Sequence, residues 1–406
     1  MQGVRKRGKT WSYYFDTAKI AGERNKEEKG GFRTKKEALE ARAKAIAEYN
    51  DTGRIFTPTT MSVADYLDYW LENAIKANIG HTYSYNTWRD YEAKVRLHLK
   101  PAFGKYRLSS FQHSPDRIQR WVDGMKSKGY SKNMVSNCLA CLRGALTYAV
   151  TPLQYIKVNP CMMVKVGKMA VNKAAKEYAE YVCPKEEFER ILRRFPEDDS
   201  FHLSLIVPYN IGTRISETFA IDLLRDFHPE THEITIDRQM CKIDGVWQFK
   251  APKYDSYRTV KIGNTLERAL IAAIRQRKVN QLRYGSHYLK TYVKPDGTIV
   301  QARSDMSVAL REIMPLCVKE NGKLMTPESF KYCAKVVHKE LNNPLFHSHC
   351  LRHTHGTILA ENGVNPKTVM ERLGHKNIET TLQTYTFNTS VMQQTAVEAF
   401  ERATYA

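Results

Sequence analysis

The sequence predicts a multidomain chain, mainly α with small β-sheets, in which a small α+β module, a helical bundle and a mixed α+β domain follow one another. Three observations carry this expectation. The chain has 406 residues, 42% of them hydrophobic, enough for two or three separate cores. Apolar residues recur at helical spacing through long stretches, while strand-like runs are few and short. Two linker-like segments, TGRIFTPTT ending at residue 60 and GKMAVNKAAKEYAEYV starting at residue 167, interrupt the pattern.

Residues 1–56 are expected to form the α+β module. GKTWSYYFDTAKI holds the aromatic residues and threonine that favour strands. GGFRTKKEALEARAKAIAEYN reads as a helix. Thr34 and Glu37 have capping-box spacing, and Ala38, Leu39, Ala41, Ala45 and Ile46 supply an apolar face. Arg5, Lys6, Arg7 and Lys9 lead into the strands, which suits insertion into a DNA groove. A solubilising tail or a protein-docking module would carry similar charge.

Residues 60–166 read as four helices with short loops, a bundle. Ser62 caps a helix carrying Val63, Tyr66, Leu67, Trp70 and Leu71. Thr87 to Leu99 forms the second, with Trp88, Tyr91 and Val95 at helical spacing. PAFGKYRLSSF reads as a turn. Pro115 opens the third helix through Ile118, Trp121, Val122 and Met125. Ser131 opens the longest of the four, through Val135, Leu139, Leu142, Leu146 and Tyr148.

Residues 167–183 read as an interdomain linker, and 184–388 as the mixed α+β domain. EITIDRQM, VWQF and RTVKI are its short strands, and Asp244-Gly245 is a tight-turn signal between two of them. Beyond about residue 265 the pattern is mainly helical. Residues 389–406 read as a short tail helix with Val391, Ala396, Phe400 and Ala403.

Composition narrows the partners. The formal net charge of +20 attracts polyanions, of which nucleic acid is the commonest. No apolar run is long enough to span a membrane, and MQGVRKRGKTW has no apolar stretch of a secretory signal. The eight cysteines are scattered. Cys138 and Cys141 stand alone in an apolar helical run and read as core, so the cysteines look like reduced thiols of a cytoplasmic protein.

Four stretches of the last domain hold residues suited to phosphodiester chemistry. They are GTRISE around Arg214, KAPKYDSYRTVKI with Lys253, HSHCLRHTHG with His349 and Arg352, and LGHKNIETTLQTYTF with His375 and Tyr385. Cleavage without a metal gathers negative charge on the non-bridging oxygens, and arginine meets phosphate with a planar fork that stays charged. A tyrosine hydroxyl can attack phosphorus if a base takes its proton, and a lysine or histidine can protonate the leaving oxygen. His349 and Arg352 stand three apart on one helical face, so both can address one phosphate. Each residue alone is weak: Arg214 could simply pair with Glu217, and a lone tyrosine usually packs. The order Arg, Lys, His-x-x-Arg, Gly-His, Tyr is what points to chemistry.

The last stretch of about 220 residues resembles the catalytic domain of tyrosine recombinases, the phage integrase type. H-C-L-R-H at 349–353 matches the family's H-x-L-R-H box; L-G-H at 373–375, T-T at 380–381 and Tyr385 match its final box. The layout, with its small basic N-terminal module, is similar to integrases of conjugative transposons and temperate phages. The resemblance implies an arm-binding module at 1–56, a SAM-like core-binding domain at 60–166 and a catalytic domain at 184–388, closing on DNA as a C-shaped clamp. It implies that Arg214 and Arg352 hold the scissile phosphate, with Glu217 supporting the first arginine. His375 would bond a non-bridging oxygen, His349 assist proton transfer at the tyrosine, and Lys253 protonate the departing 5′-hydroxyl. Lys261 and Lys250 are rivals for Lys253, and Arg258 could be a DNA-backbone contact. Tyr385 would form a 3′-phosphotyrosyl link, without cofactor or metal.

The same resemblance implies double-stranded DNA as partner through core and arm sites, and a homotetramer on DNA, because joining two duplexes needs four strand cleavages. The tail would pack on a neighbouring protomer. An excisionase and a host DNA-bending protein are further partners of such enzymes, and a bacterial cytoplasm is the expected setting. Three rivals differ in kind. A DNA-binding regulator that keeps the fold would have no use for the full set from Arg214 to Tyr385. A metal-dependent nuclease would need a carboxylate beside His349 and His353, where Cys350 stands instead of the glutamate of H-E-x-x-H. A basic RNA-binding protein explains the charge but not the motif order.

Overall fold

The computed structural model describes the backbone of residues 3–20, 23–52, 61–169, 172–385 and 390–405, with side chains throughout these except at 17–20, 23–25, 48–52, 383–385, 390–392, 399 and 405. Two compact units divide the chain, Met1–Ala170 and Val171–Ala406. The expected boundaries near 56 and 388 fall outside the described residues.

The first unit begins with an antiparallel meander of β1 (Val4–Arg7), β2 (Thr10–Ile20) and β3 (Glu23–Phe32), followed by helix α1 (Lys35–Thr52). Thr34 Oγ1 accepts the Glu37 N–H at 3.2 Å, as the spacing predicts, but the Glu37 carboxylate turns back to the Arg33 N–H at 3.0 Å, one residue before the expected box. Ala38 and Ala45 are buried, with Tyr13 and Phe15 of β2. Leu39, expected on the apolar face, is exposed. The α1 face is set by small alanines that let the helix approach the sheet closely.

The bundle follows. Ser62 caps α2 (Val63–Trp70), accepting the Asp65 N–H at 3.0 Å. The second helix starts before the expected Thr87, because Ser84 is its cap: α3 (Tyr85–Lys94) has Ser84 Oγ accepting the Thr87 N–H at 3.1 Å. PAFGKYRLSSF is not a plain turn. It forms two helical turns, Lys100–Phe103 and Leu108–Phe111, because Pro101 suits a first helical turn and Phe103, Leu108 and Phe111 are drawn into the core. Helices α4 (Pro115–Ser127) and α5 (Lys132–Val150) complete the bundle, with Ser131 capping α5. Cys138 and Cys141 are buried free thiols of this core, and burial pushes the Cys141 thiol up to about 12.

The stretch expected as linker contains α6 (Lys173–Glu180), because Asn172 accepts the Ala175 N–H at 3.1 Å and the alanines and lysines that follow are good helix formers. Then come α7 (Lys185–Arg194), α8 (His202–Ile211) and the short α9 (Ile215–Thr218). EITIDRQM, expected as one strand, splits in two. Arg238 turns inward to Asp226 at 2.5 Å and to the Ala220 carbonyl at 2.9 Å, which ends one strand and redirects the next. The result is a sheet of β4 (Phe227–His228), β5 (Glu233–Ile236) and β8 (Arg258–Lys261), and a separate hairpin of β6 (Gln239–Ile243) and β7 (Val246–Lys250). Asp244 and Gly245 turn the hairpin with φ of 46° and 82°.

Helix α10 (Asn264–Tyr284) leads to a second departure from the mainly helical reading beyond residue 265. A three-stranded sheet stands there, β9 (Leu289–Val293), β10 (Ile299–Arg303) and β11 (Arg311–Ile313), in the order β10-β9-β11. LKTYV and IVQAR are strand-favouring runs joined across Asp296-Gly297, a hairpin signal the reading passed over. Helices α11 (Phe330–Glu340), α12 (Ser348–Glu361), α13 (Pro366–Leu373), α14 (Ile378–Tyr385) and α15 (Ser390–Tyr405) end the chain. Leu205, Ile211, Phe219, Val260 and Leu351 lie in one core, so α8, β8 and α12 share a foundation. Among the described residues no helix is long and apolar enough to cross a membrane.

Candidate active site

The site is built where two chain reversals meet one face of a helix. Gly212 ends α8 in the left-handed region, φ 68°, and so turns the chain to present Arg214 at the start of α9. A Cβ on Gly212 would lie 2.4 Å from Leu373 Cδ2, so no larger residue fits where α8 meets the end of α13. Gly374 ends α13 in the same way, φ 68°, and presents His375. The third element is α12, buried on most sides, which carries His349 and Arg352 on one face as the spacing predicts.

Arg214 Nη1 donates to Glu217 Oε1 at 2.6 Å and Nη2 to the Gly374 carbonyl at 3.0 Å. Glu217, fully buried, also accepts the Arg214 N–H at 2.9 Å through Oε2. Arg352 is 3% exposed, and its Nη1 donates to the Gly212 carbonyl at 2.7 Å. Its Nη2 is buried and has no hydrogen-bond partner among the described residues. His375 Nδ1 lies 2.9 Å from the hydroxyl of buried Thr381, which fixes the orientation of the ring.

Electrostatics place these groups in one field. Burial, then the charge of Arg214, lowers Arg352 to about 9. Burial, then Arg352 and Arg214, lowers His375 to about 3. Crowding by surrounding protein, then the charges of Arg352, His347 and Arg214, holds His349 below its ordinary value, although part of its side chain stays open to solvent. Both histidines are therefore neutral near pH 7, beside arginines that stay charged. Such an arrangement can bind a dianionic oxygen cluster, donate hydrogen bonds to it and accept a proton next to it.

The remaining residues fall elsewhere. Lys253 sits in the turn after β7, exposed, with Nζ 4.9 Å from the Tyr254 ring centroid. Among the described residues it makes no hydrogen bond to Arg214, Arg352 or His375. Lys250 and Lys261 are exposed on β7 and β8. Tyr385 closes α14, ten residues after His375; its side chain, like Phe387, lies outside the described residues. His355 bonds the Tyr209 carbonyl at 2.9 Å and accepts from Arg372 at 3.0 Å, so it serves packing. His347 stacks on Tyr178 of α6 with ring centroids 4.5 Å apart.

Arg258, weighed in the sequence as a DNA-backbone contact, is drawn inward: its side chain is 7% exposed and donates to Glu217 Oε2 at 2.7 Å. The signal was present, since strand alternation puts Arg258 on the inward face with Val260. Thr381 belongs to the T-T pair of the final box, whereas Ser256, whose hydroxyl receives an Arg214 hydrogen bond at 3.3 Å, stands in no motif and is not legible in the sequence.

Residues 183–390 match the model of the phage integrase family. The chain belongs to that family. As a tyrosine recombinase it is an enzyme that breaks and rejoins DNA strands. Residues 3–49 match an arm DNA-binding domain and 62–126 the SAM-like N-terminal domain of phage integrases. The recombinase is 26% identical over 311 residues to tyrosine recombinase XerC of Listeria monocytogenes, covering 75% of this chain and 87% of that protein. It is 24% identical over 361 residues to the ICEBs1 integrase of Bacillus subtilis, covering 87% and 86%. Its fold is similar to that of the Tn1549 transposon integrase solved with circular intermediate DNA, with a TM-score of 0.63 and 20% identity over 84% of this chain and 99% of that one.

Proposed function

We propose that this recombinase integrates and excises a mobile genetic element, with Tyr385 as nucleophile. The tyrosine oxygen attacks the scissile phosphorus, the 5′-oxygen leaves, and a 3′-phosphotyrosyl bond stores the energy for rejoining. Arg214 and Arg352 hold the two non-bridging oxygens, and His375 donates a hydrogen bond to one of them. His349 takes the proton from Tyr385, and Lys253 gives one to the departing 5′-oxygen. No metal or cofactor takes part. The observation that carries this reading is the buried Nη2 of Arg352, without a hydrogen-bond partner among the described residues, in the field shared with Arg214 and His375, a set of groups suited to phosphate oxygens. The ICEBs1 and Tn1549 likenesses support the mobile-element setting.

The rest of the assignment rests on the likeness to integrases and their domains. Residues 1–56 take arm sites, 60–166 and 184–388 take the core site, and 167–183 joins them. Residues 389–406 pack on a neighbouring protomer in a tetramer on DNA. An excisionase and a host DNA-bending protein set direction, in a bacterial cytoplasm. Covalent trapping tests the centre of this reading. The full chain is incubated in EDTA with a nicked suicide duplex carrying the element's end sequence, then run on a denaturing gel beside Tyr385→Phe. A DNA-linked band that disappears in Tyr385→Phe is the expected result. A band that survives moves the nucleophile elsewhere. Tight specific binding without a band favours a regulator that kept the fold.

A further inference from the structure

We infer that Arg258 is a positioning residue for strand cleavage, acting through Glu217 and the Gly374 corner to aim Arg214. The inference rests on the reading that Arg214 holds the scissile phosphate. Arg214 is oriented by two acceptors, Glu217 Oε1 at 2.6 Å and the Gly374 carbonyl at 3.0 Å. Arg258 secures both. Its Nη2 holds the second carboxylate oxygen of Glu217 at 2.7 Å, and its Nε holds the carbonyl of Arg372, two residues before Gly374, at 2.9 Å. The corner is closed onto this guanidinium: a Cβ on Gly374 would lie 2.9 Å from Arg258 Nη1.

The connection is reciprocal. Arg372 Nη1 donates to the carbonyl of Lys261, on the same strand as Arg258, at 3.0 Å, and Nη2 to the Asn210 carbonyl at 3.2 Å. Strand β8 and the end of α13 are thus tied twice, once from each side. Arg258 Nη1 also holds the Ser256 carbonyl at 3.1 Å, in the turn that carries Lys253. One planar fork therefore joins the first arginine's support, the lysine-bearing turn and the segment leading to His375. A lysine, with one ammonium on a flexible stem, cannot reproduce three fixed directions. Unlike Arg352, whose Nη2 lacks a partner among the described residues, Arg258 donates to protein from Nε, Nη1 and Nη2 alike, and so is not placed to grip a phosphate itself.

The test measures single-turnover covalent product at saturating full-length protein, and DNA affinity across a salt series, on the nicked suicide duplex. Arg258→Gln is expected to slow cleavage about 10- to 100-fold, the scale of misaligned transition-state stabilisation. DNA affinity and its salt slope are expected to stay near wild type, because no phosphate contact is lost. Arg258→Lys, which keeps the charge but not the fork, is expected to fall between the two. A cleavage rate within about threefold of wild type overturns the inference, and so does a salt slope reduced by about one, which marks a direct phosphate contact. If Arg258→Gln does not fold, Arg258→Lys decides: slowed cleavage at unchanged affinity supports the inference, and a wild-type rate overturns it. Failure of the site reading itself shows separately, as a covalent band that persists in Tyr385→Phe.

Discussion

Replacing Gly212 by alanine strikes the fold and the site through one atom. Gly212 has φ 68° and ψ 26°, a conformation that costs an L-residue about 1–2 kcal/mol. The added Cβ would also meet Leu373 Cδ2 at 2.4 Å and His355 Cδ2 at 2.8 Å. Forcing those packed side chains apart costs about 1–3 kcal/mol more. The sum is a loss of about 2–5 kcal/mol. Hydrogen exchange of α8 and α12 amides, followed by mass spectrometry, reports the opening of this region without assuming that the whole chain unfolds at once. The shift also moves the Gly212 carbonyl that holds Arg352 at 2.7 Å, so suicide-substrate cleavage should fall by more than about tenfold. Gly245→Ala is the control. Gly245 has φ 82° but nothing within 4 Å of its Cβ position, so it should show only the conformational cost of about 1 kcal/mol and cleave normally. Equal exchange in Gly212→Ala and wild type, or equal effects of the two substitutions, would refute the packing argument.

Four further outcomes follow from the same geometry. Arg352→Lys should reduce covalent product about 100-fold or more, since a point charge replaces a fork; a rate near wild type would remove Arg352 from the phosphate. Glu217→Gln should destabilise the second unit by about 3–5 kcal/mol by leaving Arg214 and Arg258 without their buried counter-charge. Burial opposes the Glu217 charge, yet Arg258 and Arg214 hold its carboxyl below the usual range, so this stability is present above the ordinary carboxylate pKa and is lost as pH falls through the lower folded one; urea titrations at several pH values read both effects. Burial, then Arg372, lowers His355 from 6.5 to about 4, so its contribution is complete above 6.5 and fades as pH falls toward 4, when the ring can no longer accept from Arg372; at pH 5 the loss is about 2 kcal/mol, and His355→Gln should flatten that pH dependence. Tyr66→Phe, which removes a buried hydroxyl donating to the Ala145 carbonyl, should lower the stability of the bundle by about 1 kcal/mol, measured by exchange in α2 and α5.

The bundle was legible because its signals are local. Ser62, Pro115 and Ser131 mark helix starts by their own side-chain chemistry, and the buried faces repeat at helical spacing. Where several serines and threonines compete, as at Ser84 and Thr87, spacing alone does not choose the cap. The sheet at β9–β11 is harder to read because LKTYV and IVQAR lie between long helical stretches and β11 is only three residues long, although β9 and β10 pair locally across Asp296-Gly297. In the site, Arg214, His349, Arg352 and His375 stand in motifs, whereas Arg258 is defined by a carboxylate 41 positions away. A buried arginine and a surface arginine are the same letter. Only strand phase, read against Val260, distinguishes them.

Three guanidinium groups, those of Arg214, Arg258 and Arg352, are gathered around the single carboxylate of Glu217. The excess positive charge repels itself inside the folded unit, and burial limits how far mobile ions can screen it. Ionic conditions therefore act on this enzyme with two signs. Added salt loosens its grip on the DNA phosphates by removing the advantage of counterion release. A small oxyanion such as sulfate can instead settle among the arginines, bind the native form alone and raise its melting temperature with the logarithm of concentration. A buffer chosen to keep the protein in solution can thus compete with the substrate at the very place where the strand is cut.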